Sequence, residues 1–264
     1  MIRLIATDMD GTLLDDNKNL PEDFPQLVSE LDEVRLVIAS GRSYQALRPI
    51  FDCLGNKADD LVYICDNGAN LVMPKEKPVR DIIPAAVVRS IVDDCLEAPS
   101  VIPVLCGVRD IYFPSFAEEE FRKEISNFYV NFSSVEDIRE VCDDIIKIAI
   151  CDLRGADSHI YPVFREKYGS TMNVVVSGFN WMDIMNKGTD KGEALKKIQA
   201  IYGIKKEETL SFGDYFNDAP MLDASGFGYV MANACDKMKE GRKFIAPPNT
   251  DNGVVRTIKK HLEI

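Results

Sequence analysis

An apolar run from Ile2 to Ala6, broken only by Arg3, leads straight into Asp8-Met9-Asp10-Gly11-Thr12-Leu13. A run of this kind reads as a buried strand, and it closes on two carboxylates two residues apart. Strand side chains alternate with period two, so Asp8 and Asp10 can both point into one site. In open α/β sheets, ligands sit at the carboxyl ends of the strands. One carboxylate there can attack as a nucleophile while its neighbour carries a proton. The same pair can hold Mg²⁺, which prefers carboxylate and backbone oxygens plus water. A calcium loop also begins with alternating acids, but it needs Gly at its sixth position and Glu at its twelfth. Here those positions are Leu13 and Asn19. The plain alternative is a polar strand end whose acids only cap a turn.

Apolar strands then alternate with helical patterns. Strands are expected over 2–7, 35–39 and 61–65, and helices over 21–31 and 43–54. That β-α-β-α-β order predicts a parallel, doubly wound sheet. After Asn67-Gly68-Ala69-Asn70 the pattern becomes hairpin-rich, with strands at 71–73, 79–82, 101–106, 110–113, 145–151, 172–176 and 182–185 and helices at 84–96, 117–126 and 156–168. The first pattern resumes with a helix at 190–202, a strand at 209–212, a short helix at 218–224, strands at 227–231 and 243–246 and a last helix at 253–262. The expected class is therefore α/β, a Rossmann-like parallel-sheet core formed by 1–80 and 187–264, with an α+β domain, 81–186, inserted into it.

Charge narrows the partners. The net charge of −12 argues against nucleic acid and anionic membranes. It also repels phosphorylated substrates at long range, so a phosphate site has to concentrate positive charge locally. The seven cysteines, 53, 65, 95, 106, 142, 151 and 235, contain no C-x-x-C pair and read as reduced, packed thiols in a cytoplasmic protein. With only two histidines, a His-rich zinc site is not available, and His261 reads as a solvated helix end. The first strand begins at residue 2, which leaves no room for a signal peptide, and no apolar stretch reaches membrane-spanning length.

Three further motifs follow strands or open helices of the core. Ser40-Gly41-Arg42 offers a hydroxyl, backbone N–H groups and a guanidinium for phosphate, or an ordinary helix cap. Lys191 in Thr189-Asp190-Lys191-Gly192 sits in a first helical turn, where the dipole disfavours a cation. Its ammonium can neutralise a phosphate and a nucleophilic carboxylate together, with Lys187 as a competitor for that role. Gly213-Asp214-Tyr215-Phe216-Asn217-Asp218 can complete a Mg²⁺ site or form an Asx turn and helix cap. In the insertion, Arg109, Tyr112, Phe113, Phe116 and Trp181 are candidates for a pocket or for packing.

Each motif has a plain reading; their joint order and spacing does not. Together they resemble the haloacid dehalogenase superfamily of Mg²⁺-dependent phosphatases, most closely its Cof-type branch with a C2B cap. The resemblance extends to Asp66-Asn67-Gly68-Ala69, Ala232-Asn233-Ala234 and Asp251-Asn252-Gly253-Val254. It implies that Asp8 is the nucleophile of an aspartyl-phosphate mechanism and that Asp10 is the acid and base. It also implies that Mg²⁺ is held by the Asp8 carboxylate, the Asp10 carbonyl and Asp214. By the same resemblance, Ser40, Gly41, Arg42, Asn217 and Lys191 face the phosphate, Thr12 contacts it or braces the loop, and Asn217 and Asp218 orient the metal shell or its waters. The implied substrate is a small phosphorylated metabolite such as a sugar phosphate, nucleotide or cofactor phosphate. The implied protein is a monomer or weak homo-oligomer without nucleic acid or membrane partners. A phosphomutase or other phosphotransferase of the same superfamily is the rival, and a non-catalytic phosphometabolite-binding protein is a further one.

Overall fold

The computed structural model describes residues 1–263 apart from Asp32, Pro99 and Val130. In chain order the elements are β1 (Leu4–Asp8), α1 (Phe24–Glu30), β2 (Arg35–Ala39), α2 (Tyr44–Leu47), β3 (Val62–Cys65), β4 (Asn70–Val72) and β5 (Val79–Arg80). Next come α3 (Ala85–Glu97), β6 (Ile102–Gly107), β7 (Ile111–Pro114), α4 (Glu119–Phe128), β8 (Ser133–Val135), β9 (Ile145–Cys151), α5 (Ile160–Tyr168), β10 (Met172–Gly178) and β11 (Trp181–Asn186). The chain ends with α6 (Lys191–Tyr202), β12 (Thr209–Gly213), α7 (Ala219–Asp223), β13 (Phe227–Met231), α8 (Asp236–Lys239), β14 (Phe244–Ala246) and α9 (Gly253–Leu262). Packing divides it into two units, Met1–Val79 with Asp190–Ile264, and Arg80–Thr189.

The first unit is a mixed α/β layer structure around one sheet of order β14-β13-β12-β1-β2-β3-β4-β5. From β14 to β3 all pairings are parallel, and β4 returns antiparallel to β3. Period-two alternation decides which helices cover which face. Ile5, Ile38 and Phe212 pack with Phe24 and Leu27 of α1 and Val254 and Ile258 of α9. Leu4, Ala6, Val37 and Ile64 pack on the other face with Leu195 and Ile198 of α6 and Met221 of α7. Every residue of β1 is buried, as expected for a strand covered on both faces. From β1 the strand order runs one way through β2 and β3 and the other way through β12 to β14. The switch point therefore falls between β1 and β12, the place where such sheets bind ligands.

The second unit holds a six-stranded sheet, β10-β11-β9-β6-β7-β8, antiparallel except for the β7–β8 pair. Helices α3 and α5 cover one face through Val88, Ile91, Val92, Phe164 and Tyr168. Helix α4 covers the other through Phe121 and Ile125. Of the pocket candidates, Phe113 and Trp181 belong to this second core. The Trp181 indole N–H donates to Glu124 at 2.9 Å. Arg109 and Tyr112 both reach Asp143, and Phe116 is exposed.

Several local readings need correction. The α-helix expected over 43–54 stops at Leu47 and continues as 3₁₀ turns over Arg48–Asp60, kinked at Gly55. Pro49 is the cause, because it lacks the N–H of the next helical bond and its ring crowds the preceding turn. The short polar strand β8 carries no sequence signal and exists because β7 offers it an edge. His261 is half-buried with its ring 4.6 Å from that of Phe227, and burial lowers its pKa, so it is not a solvated helix end. All seven cysteines are free thiols, but Cys53, Cys142 and Cys235 are exposed rather than packed. Among the described residues no helix is long and apolar enough to cross a membrane.

Candidate active site

Asp8 is the last residue of β1 and shares the face of Leu4 and Ala6, the face covered by α6. Helix α6 begins at Lys191 because Asp190 caps it, accepting from the backbone N–H groups of Gly192 and Glu193 at 2.8 Å each. As the first helical residue, Lys191 lies almost fully buried, with its ammonium 2.6 Å from Asp8 Oδ1 and 2.6 Å from Asp218 Oδ1. Two carboxylates thus offset what the helix dipole disfavours. Lys187 lies elsewhere, in the second unit, donating to the carbonyl of Ser170.

The turn after β12 supplies the remaining acids. Asp218 is buried, with its second oxygen accepting from the N–H groups of Asp214 and Tyr215 at 3.0 and 3.1 Å. Asp214 takes the Thr12 hydroxyl at 3.0 Å. Thr12 therefore braces this turn. Gly11, at φ +81°, brings its backbone so close to Asp214 that a Cβ would stand 2.5 Å from Oδ2. One oxygen from each of Asp8, Asp214 and Asp218 lies within 4.8 Å of the other two.

Asp10 turns to a different partner. The Arg42 guanidinium grips it with Nε at 2.8 Å and Nη2 at 2.6 Å, and Lys18 joins at 2.9 Å. Nothing in the sequence pattern singles out Lys18. Its backbone is left-handed, φ +66°, in a loop where Asp15 accepts from the N–H groups of both Lys18 and Asn19. Ser40 caps its own turn by accepting from Arg42 N–H at 3.1 Å. Gly41 lies against Asn67, and Asn217 donates to Asn67 Oδ1 at 3.1 Å. One motif singled out near the C-terminus also gains a structural role. Asn233 donates to the Gly11 carbonyl at 2.8 Å and accepts from Asn249 N–H at 3.1 Å, so it braces the loop between Asp10 and Thr12.

Burial and the charges that surround each group set the electrostatics. Burial first, then the Asp218 carboxylate, push the Asp8 carboxyl well above its ordinary value against the pull of Lys191. Burial and Asp218 push Asp214 up to about 6. Burial works against the Lys191 ammonium, but Asp218 and Asp8 outweigh it and raise its pKa. For Asp10 the balance is opposite: burial is outweighed by Arg42 and then Lys18, and its pKa is lowered. A buried carboxylate, a buried cation and a crowded acid pair therefore meet at the sheet's switch point.

A family model for haloacid dehalogenase-like hydrolases matches residues 5–258. The chain belongs to that family. A 5-amino-6-(5-phospho-D-ribitylamino)uracil phosphatase of Escherichia coli is 26% identical to this haloacid dehalogenase-like hydrolase, over 99% of this chain and 97% of the relative. A pyridoxal phosphate phosphatase of the same organism is 26% identical, over 98% of both chains. Among solved structures, SMU.1108c from Streptococcus mutans UA159 superposes with a TM-score of 0.91 at 26% identity, covering 100% of both chains. The enzyme class follows: this haloacid dehalogenase-like hydrolase is a phosphatase.

Proposed function

We propose that the protein hydrolyses small phosphate monoesters through an aspartyl-phosphate on Asp8, with Mg²⁺ as the resident metal. The observation that carries this reading is the buried Lys191 ammonium bridging Asp8 and Asp218 at 2.6 Å each, beside Asp214. The donor set fits a hard divalent cation. It is all carboxylate oxygen, without soft ligands, and two of its acids are pushed up by burial and by a neighbouring carboxylate, which a cation offsets. Asp8, Asp214 and the Asp10 carbonyl would hold the ion, with Asp218 anchoring their surroundings. When bound, the ion supplies positive charge to the reacting phosphoryl oxygens.

The chain's own groups perform the remaining tasks. Asp8 attacks phosphorus as the ester P–O bond breaks, and Lys191 balances the charge shared by Asp8 and the transferring group. Asp10 gives its proton to the leaving alkoxide, then takes one from the water that cleaves the aspartyl-phosphate. Asp10 is ionised while Arg42 and Lys18 hold it, so it takes up that proton from solvent once the incoming phosphate draws the Arg42 guanidinium away. Ser40, Gly41, Arg42 and Asn217 hold the phosphate. Relatives that act on a ribitylaminouracil phosphate and on pyridoxal phosphate favour cofactor-type phosphates as substrates. The test is a panel of pyridoxal 5′-phosphate, flavin mononucleotide, sugar phosphates and nucleotides, assayed for phosphate release with Mg²⁺ and after EDTA. Mg²⁺-dependent release from at least one small ester is expected. Full activity after exhaustive chelation overturns the metal role, and no release from any ester overturns the reading as a whole.

A further inference from the structure

The turn after β3 carries two adjacent non-glycine residues in the left-handed region, Asp66 at φ +50° and Asn67 at φ +53°. Left-handed backbone is uncommon outside glycine, and strain of this kind persists only where surrounding structure enforces it. Both residues are buried to within 2%. What enforces the turn is its position among the turns of the candidate site. The Asp66 N–H donates to the Arg42 carbonyl and the Asn67 N–H to the Ser40 carbonyl, both at 3.0 Å. A methyl group at Gly41 would stand 3.2 Å from the Asn67 amide nitrogen, so this backbone has to lie against that side chain. On its other side Gly68, at φ +108°, abuts the backbone of Asp190, the residue that caps the helix bearing Lys191. Asn67 Oδ1 then accepts from Asn217 Nδ2 across 150 positions of sequence.

We propose that Asn67 is a positioning residue for phosphate, its side chain pinning the Asn217 amide in its anion-binding geometry. The chemistry lies in the orientation of an amide. An asparagine beside an anion is useful only if its NH₂ faces the anion, since its carbonyl oxygen repels it. By accepting one N–H of Asn217, Asn67 fixes which end of that amide is the nitrogen. The other N–H of the same nitrogen remains available to a phosphate oxygen. Asn67 itself acts through Asn217 rather than on the substrate. This inference rests on the phosphatase reading above.

The experiment compares wild type, Asn67→Gly, Asn217→Ala and the double variant, with p-nitrophenyl phosphate as substrate and inorganic phosphate as competitive inhibitor. Glycine suits φ +53° better than asparagine, so Asn67→Gly should keep its Tm at or above that of wild type. It should nonetheless raise KM and the phosphate inhibition constant about tenfold, the size of one charge-assisted hydrogen bond, with kcat changing less. Because the two residues act as one unit, the double variant should stay near tenfold rather than reach about a hundredfold. Asn67→Asp keeps an acceptor oxygen and left-handed tolerance, so removing Asn217 in that background should still cost about tenfold. Multiplying effects, an unchanged inhibition constant in Asn67→Gly, or no cost of Asn217→Ala on Asn67→Asp would each overturn the proposal. Wild type that neither turns over the ester nor is inhibited by phosphate takes the phosphatase reading down with it, a result distinct from active wild type with silent variants.

Discussion

Lys191 shows how far a residue's surroundings can reverse its average behaviour. A lysine in a first helical turn is ordinarily solvated, yet this one is buried and held by two carboxylates at 2.6 Å. Lys191→Met should lower kcat/KM by about 10²–10³ through loss of a pre-organised cation. It should also cost stability on the order of 3–5 kcal/mol without metal, because Asp8 and Asp218 are left buried without their partner. Lys187→Ala, whose ammonium lies on the Ser170 carbonyl, should remain near wild type in both assays. Steady-state kinetics and urea unfolding of the pair check this, and a worse Lys187 variant would displace the proposed assignment. Asp8→Asn replaces the nucleophile with a nearly isosteric amide, so its turnover should fall at least about 10³-fold while the fold survives. Substantial turnover in a clean preparation would remove Asp8 from the mechanism.

At the scale of elements, the site depends on caps and braces more than on helices and strands themselves. Asp190 satisfies two N–H groups of α6 and so decides where Lys191 stands. Asp190→Ala should cost about 1 kcal/mol in chemical denaturation, a typical N-cap loss, and should lower kcat beyond what that destabilisation explains. Asn233 acts on the neighbouring loop by holding the Gly11 carbonyl and the Asn249 N–H. Asn233→Ala should destabilise by about 1–2 kcal/mol and lower kcat, since Asp10 and Thr12 flank the freed carbonyl. Retention of full kcat would mean, for Asp190→Ala, that Lys191 keeps its place without the cap and, for Asn233→Ala, that the loop keeps its shape without the brace.

For the whole molecule the governing quantity is charge crowded at the end of one sheet. Burial and Asp218 push the Asp214 carboxyl up to about 6 in the fold from an ordinary 3.8, and Asp8 is raised as well. Between those values the folded state binds more protons than the unfolded chain, so the metal-free protein loses stability as pH rises through that window. A divalent cation has to displace those protons, and its stabilising effect therefore grows as pH passes 6. Saturating Mg²⁺ should raise Tm by about 2–4 °C more at pH 7.5 than at pH 5.5, for each 1 kcal/mol of differential binding. An equal gain at both pH values in differential scanning calorimetry would count against metal binding at these carboxylates. The inserted unit has its own sheet and core, and we propose that it selects the substrate. Replacing 80–189 with a short Gly-Ser linker should erode discrimination among metabolites more than activity on p-nitrophenyl phosphate. An unchanged substrate ranking would reject that role.

Sequence alone determined the features that depend on local pattern. The apolar run ending at Asp8, the β-α alternation and the return of that alternation after a hairpin-rich insertion follow from period and composition. Strands β9, β13 and helix α9 fall at the expected residues because buried runs and amphipathic stripes are written continuously along the chain. Asp8, Asp10, Lys191 and the Asp214–Asp218 turn were legible as candidates because acids and lysines beside apolar strand ends are costly without a purpose. Tertiary structure decided the partners. That Arg42 grips Asp10, that Lys18 joins it from a left-handed turn and that Asn217 leans on Asn67 depend on segments distant in the chain meeting at the β1–β12 switch point. The same holds for His261 against Phe227 and for the edge strand β8. Such pairings depend on three-dimensional proximity, which local period and propensity do not encode.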